Sequence, residues 1–376
     1  MIIDGLSSLL IGFSNFQWSH GVMIVVGCAL LYLGIKKDME PLLLVPIGFG
    51  AILVNIPMSG LMDEGGLLRH FYEAGVLTEI FPCLIFIGIG AMTDFGPLLE
   101  NPRILLLGGA GQFGIFLTLL LALLLGFTQL EAVAIGIIGA CDGPTSIYVT
   151  SKYAPHMLGA VSVAAYCYMS LVPILQPPIM RFLTTAEERK IVMKYEKKTV
   201  SPTLKILFPI VVTLVTCLIA PMGTPLMGTL MLGNLLKESG VADRLVKASQ
   251  NEIANIVTLL LGISIGATMA GPVFLKPQTL MILGLGLVAI ALDTAMGIFL
   301  AKIMKVLSGG KVNPLIGAAG ISAFPMSARV VQAEGQRANK KSFLLMHAMG
   351  ANTAGQIGSV LAASVMLSLL KGMGIV

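Results

Sequence analysis

Residues 138–155 read IGACDGPTSIYVTSKYAP. An apolar run, residues 132–138, leads into this stretch, and another, residues 158–175, follows it. Asp142 therefore falls at membrane depth. A carboxylate there costs about 3 kcal/mol on insertion scales, so its presence calls for a reason. Gly143 and Pro144 come directly after it. Proline lacks an N–H and clashes with the preceding turn, so a continuous helix must break here. A broken helix frees carbonyls and offers a fresh N-terminus, the kind of place where transporters bind small ions.

Composition agrees with a polytopic membrane protein. Of 376 residues, 56% are hydrophobic and 11% are charged, against about 25% charged in soluble domains. The 43 glycines and 19 prolines suit closely packed, interrupted helices. Seven of the 24 basic residues lie in residues 181–205, which marks the cytoplasmic loop under the positive-inside rule. Glu187, Glu188 and Glu196 are interleaved with them and no aromatic pattern accompanies them, so nucleic-acid binding is not expected. The five cysteines, Cys28, Cys83, Cys141, Cys167 and Cys217, are scattered through apolar runs without a CxxC pair. Disulfides, zinc and other transition-metal sites are not expected. Residues 1–15 lack a basic n-region and a small-residue cleavage site, so no signal peptide is expected.

Outward from the central stretch, residues 1–18 read as an interfacial segment. Spans follow at residues 22–35 and 41–57, then a polar loop at residues 59–73 in which Arg69 and His70 read as solvated. Four apolar blocks occupy residues 76–90, 104–126, 132–148 and 158–178. After the charged loop come residues 206–221 and 222–236. Four further blocks cover residues 253–270, 280–304, 312–330 and 343–370. A span needs about 20 apolar residues; several blocks are shorter, which predicts broken or re-entrant helices. The two sets of four look like copies. Ile89-Gly90-Ala91, Gly96-Pro97 and Pro102 recur as Ile265-Gly266-Ala267, Gly271-Pro272 and Pro277, and Ile138-Gly139-Ala140 recurs as Ile316-Gly317-Ala318. Paired interruptions in two halves point to a transport site at their interface. The expected division is an N-terminal segment with the first spans (1–75), a first repeat (76–184), the charged loop with connecting spans (185–250) and a second repeat (251–376).

Three polar constellations stand out. Thr145 and Ser146 sit three and four residues after Asp142, and with freed carbonyls they form the oxygen set that a hard cation such as Na+ wants. Residues 313–329, NPLIGAAGISAFPMSAR, offer Asn313, Gly317, Ser322 and Ser327, and end on Arg329. That arginine either grips an anion or marks an interface. Residues 347–359, HAMGANTAGQIGS, place Asn352 among glycines, for helix packing or for an ion. Asp293 is a second intramembrane carboxylate, either functional or a local cap. Tyr166 and Tyr168 read as core or interface residues.

These motifs carry a resemblance. Residues 139–155, 313–336 and 343–359 resemble, in order, the motifs of the beta subunit of the sodium-pumping, biotin-dependent decarboxylases, over nearly the whole chain. The resemblance implies a helical scaffold with a mobile core of two broken hairpins, moving like an elevator. It implies that carboxybiotin, formed by a carboxyltransferase alpha subunit on a biotin carrier protein, is decarboxylated at the membrane. That step consumes an outer proton and drives Na+ outward. A small single-span gamma subunit, oligomers and a multi-pass place among the lipids of a bacterial cytoplasmic membrane are implied too. Carried over residue by residue, Asp142 is the Na+ and proton residue, while Asn313, Gly317, Ser322 and Asn352 join the sodium path. Arg329 and Tyr168 are catalytic, and Arg329 with Asn313 would hold carboxybiotin. Gln332 departs from the polar residue, often Asn, found there in relatives. The competing class is a stand-alone secondary transporter, a Na+/H+ antiporter or Na+-coupled carboxylate symporter, which broken helices and an intramembrane aspartate suit equally.

Overall fold

A computed structural model describes residues 11–195 and 199–375. Residues 1–10 of the expected interfacial segment and Glu196, Lys197 and Lys198 of the charged loop lie outside the described residues. The described chain is helical without a strand. Its main helices are α1 (Trp18–Lys37), α2 (Pro41–Val54), α3 (Ile80–Met92), α4 (Pro102–Leu124, loosened near Gly111), α5 (Gln129–Gly136), α6 (Gly143–Tyr153) and α7 (Leu158–Leu183). There follow α8 (Pro202–Ile219), α9 (Thr224–Ser239), α10 (Ala254–Ala267), α11 (Pro277–Leu307), α12 (Met326–Ala338) and α13 (Leu345–Gly372). Six helices are long and apolar enough to cross a membrane, and a bent pair, Leu67–Leu77 with α3, makes a seventh. The chain is an all-α polytopic membrane protein.

Residues 59–73 depart from the expected loop. The polar turn ends at Gly66, and Leu67–Phe71 already forms a helix that runs on as a π-helix over Tyr72–Leu77. Leu68 and Val76, buried at helical spacing, explain it. Arg69 pairs with Glu73 at 2.8 Å on the exposed face.

The helices sort into two bodies by what they touch. In one, α2 packs on α1 and α10, and α3 packs on α9 and α10. Glycines set these crossings. A Cβ at Gly27 would stand 2.8 Å from the Gly48 carbonyl, and one at Gly90 would collide with the Leu230 carbonyl. Small residues at crossings let backbones approach where lipid gives no hydrophobic drive between helices. In the other body, α11 packs on α7 and α4, with α13 against α4. Two interrupted hairpins complete it. The first is α5, a 3-10 turn Ile137–Ala140, and α6; the second is a 3-10 turn Pro314–Gly320 and α12.

The hairpins enter from opposite ends. α7 and α11 run parallel: Tyr168 donates to the Leu283 carbonyl, and Gln176 Nε2 lies 3.4 Å from Thr294 Oγ1 further along. The base of the first hairpin lies beside the start of α7, where His156 Nε2 meets Glu131 Oε1 at 2.9 Å. The second is tied beyond the end of α7, where Asn313 Nδ2 donates to the Arg189 and Ile191 carbonyls at 3.1 and 2.8 Å. Gly317 and Gly297 are in backbone contact, so a Cβ on either would strike the other's carbonyl. Gln332 has a plain structural role, because its Oε1 accepts the Leu344 and Leu345 N–H groups at 2.6 and 2.8 Å and caps α13.

The basic loop is pinned at this same end. Glu188 holds Lys305 at 3.1 Å and Lys302 at 3.3 Å and accepts the Thr185 N–H at 2.9 Å. Burial pushes this carboxyl up, but the Thr185 amide and the two ammonium groups outweigh burial and leave it below its ordinary 4.5. A depressed carboxylate stabilises above its ordinary range and loses that contribution as pH falls through the depressed value. Limited proteolysis should therefore find the loop after α7 protected from neutral pH down to the ordinary carboxylate range. Protection should fade only below it, and Glu188→Gln should open the loop at every pH.

Candidate functional site

The site forms where the two hairpin tips meet. The first hairpin starts with a capping box, Thr128 with Glu131, and its 3-10 turn ends at Cys141, whose φ is 52°. That left-handed residue turns the chain so that Asp142 is extended and caps α6. Asp142 Oδ1 accepts the Thr145 N–H at 3.2 Å and Oδ2 accepts the Thr145 hydroxyl at 2.8 Å. The Ser359 hydroxyl, on α13, lies 2.9 Å from Asp142 Oδ2 and 2.9 Å from the Gln356 carbonyl. One hydroxyl proton serves one of them at a time. Asp142 is 7% exposed, while Thr145 and Ser359 are fully buried.

The second tip is fastened to the first by backbone. The Ser322 N–H donates to the Ala140 carbonyl at 3.0 Å. The Ser322 hydroxyl donates to the Gly355 carbonyl at 2.9 Å, and Asn352 Nδ2 donates to the Ile321 carbonyl at 2.6 Å. Gln112 Nε2, on α4, reaches the Gly320 carbonyl at 3.1 Å and the Gly355 carbonyl at 3.3 Å. Both tips are thus bonded, directly or through α13, around a few residues.

Several oxygens here are left over. Asn352 Oδ1, Gln112 Oε1 and the Tyr166 hydroxyl are buried without a hydrogen-bond partner. A buried polar atom without a partner costs about 1–3 kcal/mol, which disposes such oxygens toward a ligand. A cavity of about 340 Å³ takes in Tyr166 together with Asp142, Ser322 and Gln356 and, from the other body, Glu40 and Met92. Met92 ends α3 next to Thr93, whose carbonyl accepts from Lys237 at the end of α9, and there Lys205 from the basic segment reaches Glu238 at 3.6 Å; Glu40 precedes α2. The cavity therefore leads from the tips toward the end that carries the basic loop. Carboxylate, hydroxyl and amide oxygens suit a hard cation. Among the described residues, no group of three or more His, Cys, Asp or Glu gathers as a transition metal would need.

The residues singled out in the sequence are divided by the fold. Asp142 and Thr145 stand together, with Ser322 and Asn352 at the joint. Ser146 is adjacent, but its hydroxyl bonds the Asp142 carbonyl at 2.9 Å, not the carboxylate. Asn313 and Gly317 lie away from Asp142, at the base and middle of the second hairpin, where one bonds loop carbonyls and the other packs on Gly297. Tyr168 points to α11, and the tyrosine lining the cavity is Tyr166, whose ring crowds Gly143. Arg329 is exposed on α12, one turn beyond the cavity-lining Pro325. Asp293 caps the second half of α4 by accepting the Gly114 N–H. Sequence reasoning missed Ser359 and Gln356. Their spacing from Asn352, i+4 and i+7, places all three on one face of α13, a signal present in the sequence.

Comparison with known proteins follows the same lines. The family described as Na+-transporting oxaloacetate decarboxylase beta subunit matches residues 19–370. The chain is 55% identical over 361 residues to the glutaconyl-CoA decarboxylase subunit beta of Acidaminococcus fermentans, covering 96% of each. It is 54% identical over 360 residues to the methylmalonyl-CoA decarboxylase subunit beta of Veillonella parvula, covering 96% of this chain and 95% of that one. It is 46% identical over 434 residues to the oxaloacetate decarboxylase beta chain of Klebsiella pneumoniae, covering 99% and 100%.

Hydrogen bonds to charged groups contribute about 1.5–3 kcal/mol, so loss of a hydroxyl from Asp142 should weaken cation binding by roughly tenfold or more. Calorimetric titration of the purified protein with Na+ should show that loss in Ser359→Ala and in Thr145→Val. Asn313→Ala, at the far base of its hairpin, should shift binding much less.

Proposed function

The chain belongs to the family of Na+-transporting decarboxylase beta subunits, and from that membership we propose that it decarboxylates carboxybiotin at the membrane and couples that step to Na+ export. The observation that carries the reading is the buried Asp142 carboxylate, held between the Thr145 and Ser359 hydroxyls at the meeting point of two broken hairpins. That oxygen set, with the free Asn352 Oδ1, is the Na+ site of the proposal; Na+ is the cargo. Asn313 and Gly317 shape the hairpin that carries Ser322 instead of touching the ion.

Carboxybiotin supplies a carbamate whose N–C bond breaks to release CO2, leaving a urea nitrogen that takes up one proton. In the proposal Asp142 holds that proton until Na+ replaces it, so ion loading and proton delivery exclude each other at one carboxylate. Arg329, exposed one turn beyond the cavity-lining Pro325, grips the carbamate carboxylate as a bidentate donor in this reading. Tyr166 is better placed than Tyr168 to touch the transferred proton, since it lines the cavity with an unpartnered hydroxyl. The basic end is the cytoplasmic end under the positive-inside rule, so the cavity faces the side from which a biotin carrier arrives. The opposed hairpins support inverted repeats and an elevator-like stroke. The carboxyltransferase alpha subunit, the biotin carrier, a small single-span gamma subunit and a place in the bacterial cytoplasmic membrane complete the proposal.

Proteoliposomes containing the chain with its small partner test this. Inward-facing assay of Na+ movement should show flux only with a carboxylated biotin carrier, and none in Asp142→Asn. Arg329→Ala should raise the carrier concentration for half-maximal rate by roughly tenfold or more, the effect of losing one charge-assisted pair. Flux driven by a pH gradient alone and indifferent to carboxybiotin would make the chain a secondary transporter and remove the catalytic assignment.

A further inference from the structure

The cavity that holds Asp142 has a second carboxylate on its opposite wall. Glu40 immediately precedes α2 and lines the mouth at the basic end, facing the hairpin tips from the other body. It is half-buried. Burial pushes its carboxyl above the ordinary range, and neither hydrogen bond nor countercharge offsets that. Lys36 and Lys37, a few residues before it, are exposed and form no ion pair with it. The Tyr166 hydroxyl, 1% exposed and unpartnered, lines the same cavity as both carboxylates.

The backbone at Glu40 is unusual as well. Its φ is 39° and its ψ 57°, the left-handed region, two residues after Asp38 at φ 53°. Asparagine, aspartate and glycine enter this region readily; glutamate does not. A costly conformation that places an unpaired carboxylate over an ion cavity motivates a functional reading. Two carboxylates facing one low-dielectric cavity also produce a negative field that concentrates cations at its mouth.

We infer that Glu40 is the entry ligand for Na+, a carboxylate on the wall opposite the hairpins that draws the ion into the cavity and passes it to the Asp142 site. This rests on the proposed reading of Asp142 and adds the route by which the ion arrives. Glu40 acts before the chemical step, so its loss belongs in the half-saturating Na+ concentration and not in kcat. The carboxylate works through its charge, so the loss shrinks when salt screens the mouth.

The test measures carboxybiotin decarboxylation by the whole complex in proteoliposomes against Na+ concentration, at low and high choline chloride. Glu40→Gln should raise half-saturating Na+ by about five- to tenfold at low salt, the order expected for one carboxylate charge across a cavity of this size, and by less at high salt. Glu40→Asp should recover most of the shift. Glu40→Gly suits the positive φ, so it should keep the fold, raise the thermal midpoint and still show the Na+ shift. An unchanged half-saturation in Glu40→Gln and Glu40→Gly, or a loss confined to kcat, overturns the inference. So does a moved pH optimum without a Na+ shift, which would make Glu40 a proton carrier. Asp142→Asn run alongside separates the two claims. If it keeps normal Na+ dependence, the Asp142 reading fails whatever Glu40 does. If it loses that dependence while Glu40→Gln is unaffected, only the entry role fails.

Discussion

A carboxylate buried at membrane depth must be satisfied from inside the protein, and much of this fold converges on doing that for Asp142. The helix breaks at Gly143-Pro144, which frees the Thr145 N–H to reach the carboxylate. A second helix supplies Ser359, and a second hairpin supplies the backbone that holds the first tip still. The same arrangement that tolerates the charge leaves room for a cation to replace part of it. Burial and the proposed function are therefore one constraint here: fully satisfied hydrogen bonding would hold Asp142 without any need for an ion, whereas Asn352 Oδ1 and the Tyr166 hydroxyl remain free.

The glycines serve this constraint at a distance. Gly297 against Gly317 brings the second 3-10 turn onto α11, and Gly111 against Gly320 brings it onto α4. A turn with few internal hydrogen bonds can stand at membrane depth only when protein surrounds it, and close backbone packing is how this chain surrounds it. The other body uses glycine differently, at simple helix crossings such as Gly27 with Gly48. The two bodies also share buried apolar clusters: Leu44 and Ile265 of one pack with Ile138 and Ile147 of the first hairpin.

Much of this was legible in the sequence. Apolar block lengths gave nearly every long helix to within a few residues, and Asp142-Gly143-Pro144 and Asn313-Pro314 gave the two interruptions, because proline acts locally. The residues 67–77 helix was missed because polar Arg69, His70 and Glu73 hid the apolar spacing of Leu68 and Val76. The partners of Asp142 were only half legible. Thr145 is near in sequence, but Ser359 lies 217 residues away, and no local rule pairs them. Tyr166 and Tyr168 differ by two positions, which on a helix means opposed faces; which one faced the cavity depended on where α11 lay. Glu40 carried no signal at all, since a glutamate between two spans reads as solvated until a cavity is seen behind it.

The bond between the two tips, from the Ser322 N–H to the Ala140 carbonyl, involves no side chain. Substitution at either position leaves it in place, proline at 322 excepted. Drift can therefore alter Ser359, Thr145 or Asn352, and with them the oxygens offered to a ligand, while the joint that sets their spacing is inherited unchanged. Geometry and side-chain chemistry are written in separate parts of the chain. That separation would let one scaffold be retuned for a different ion by exchanging a few hydroxyls and amides, without redesigning the hairpins that present them.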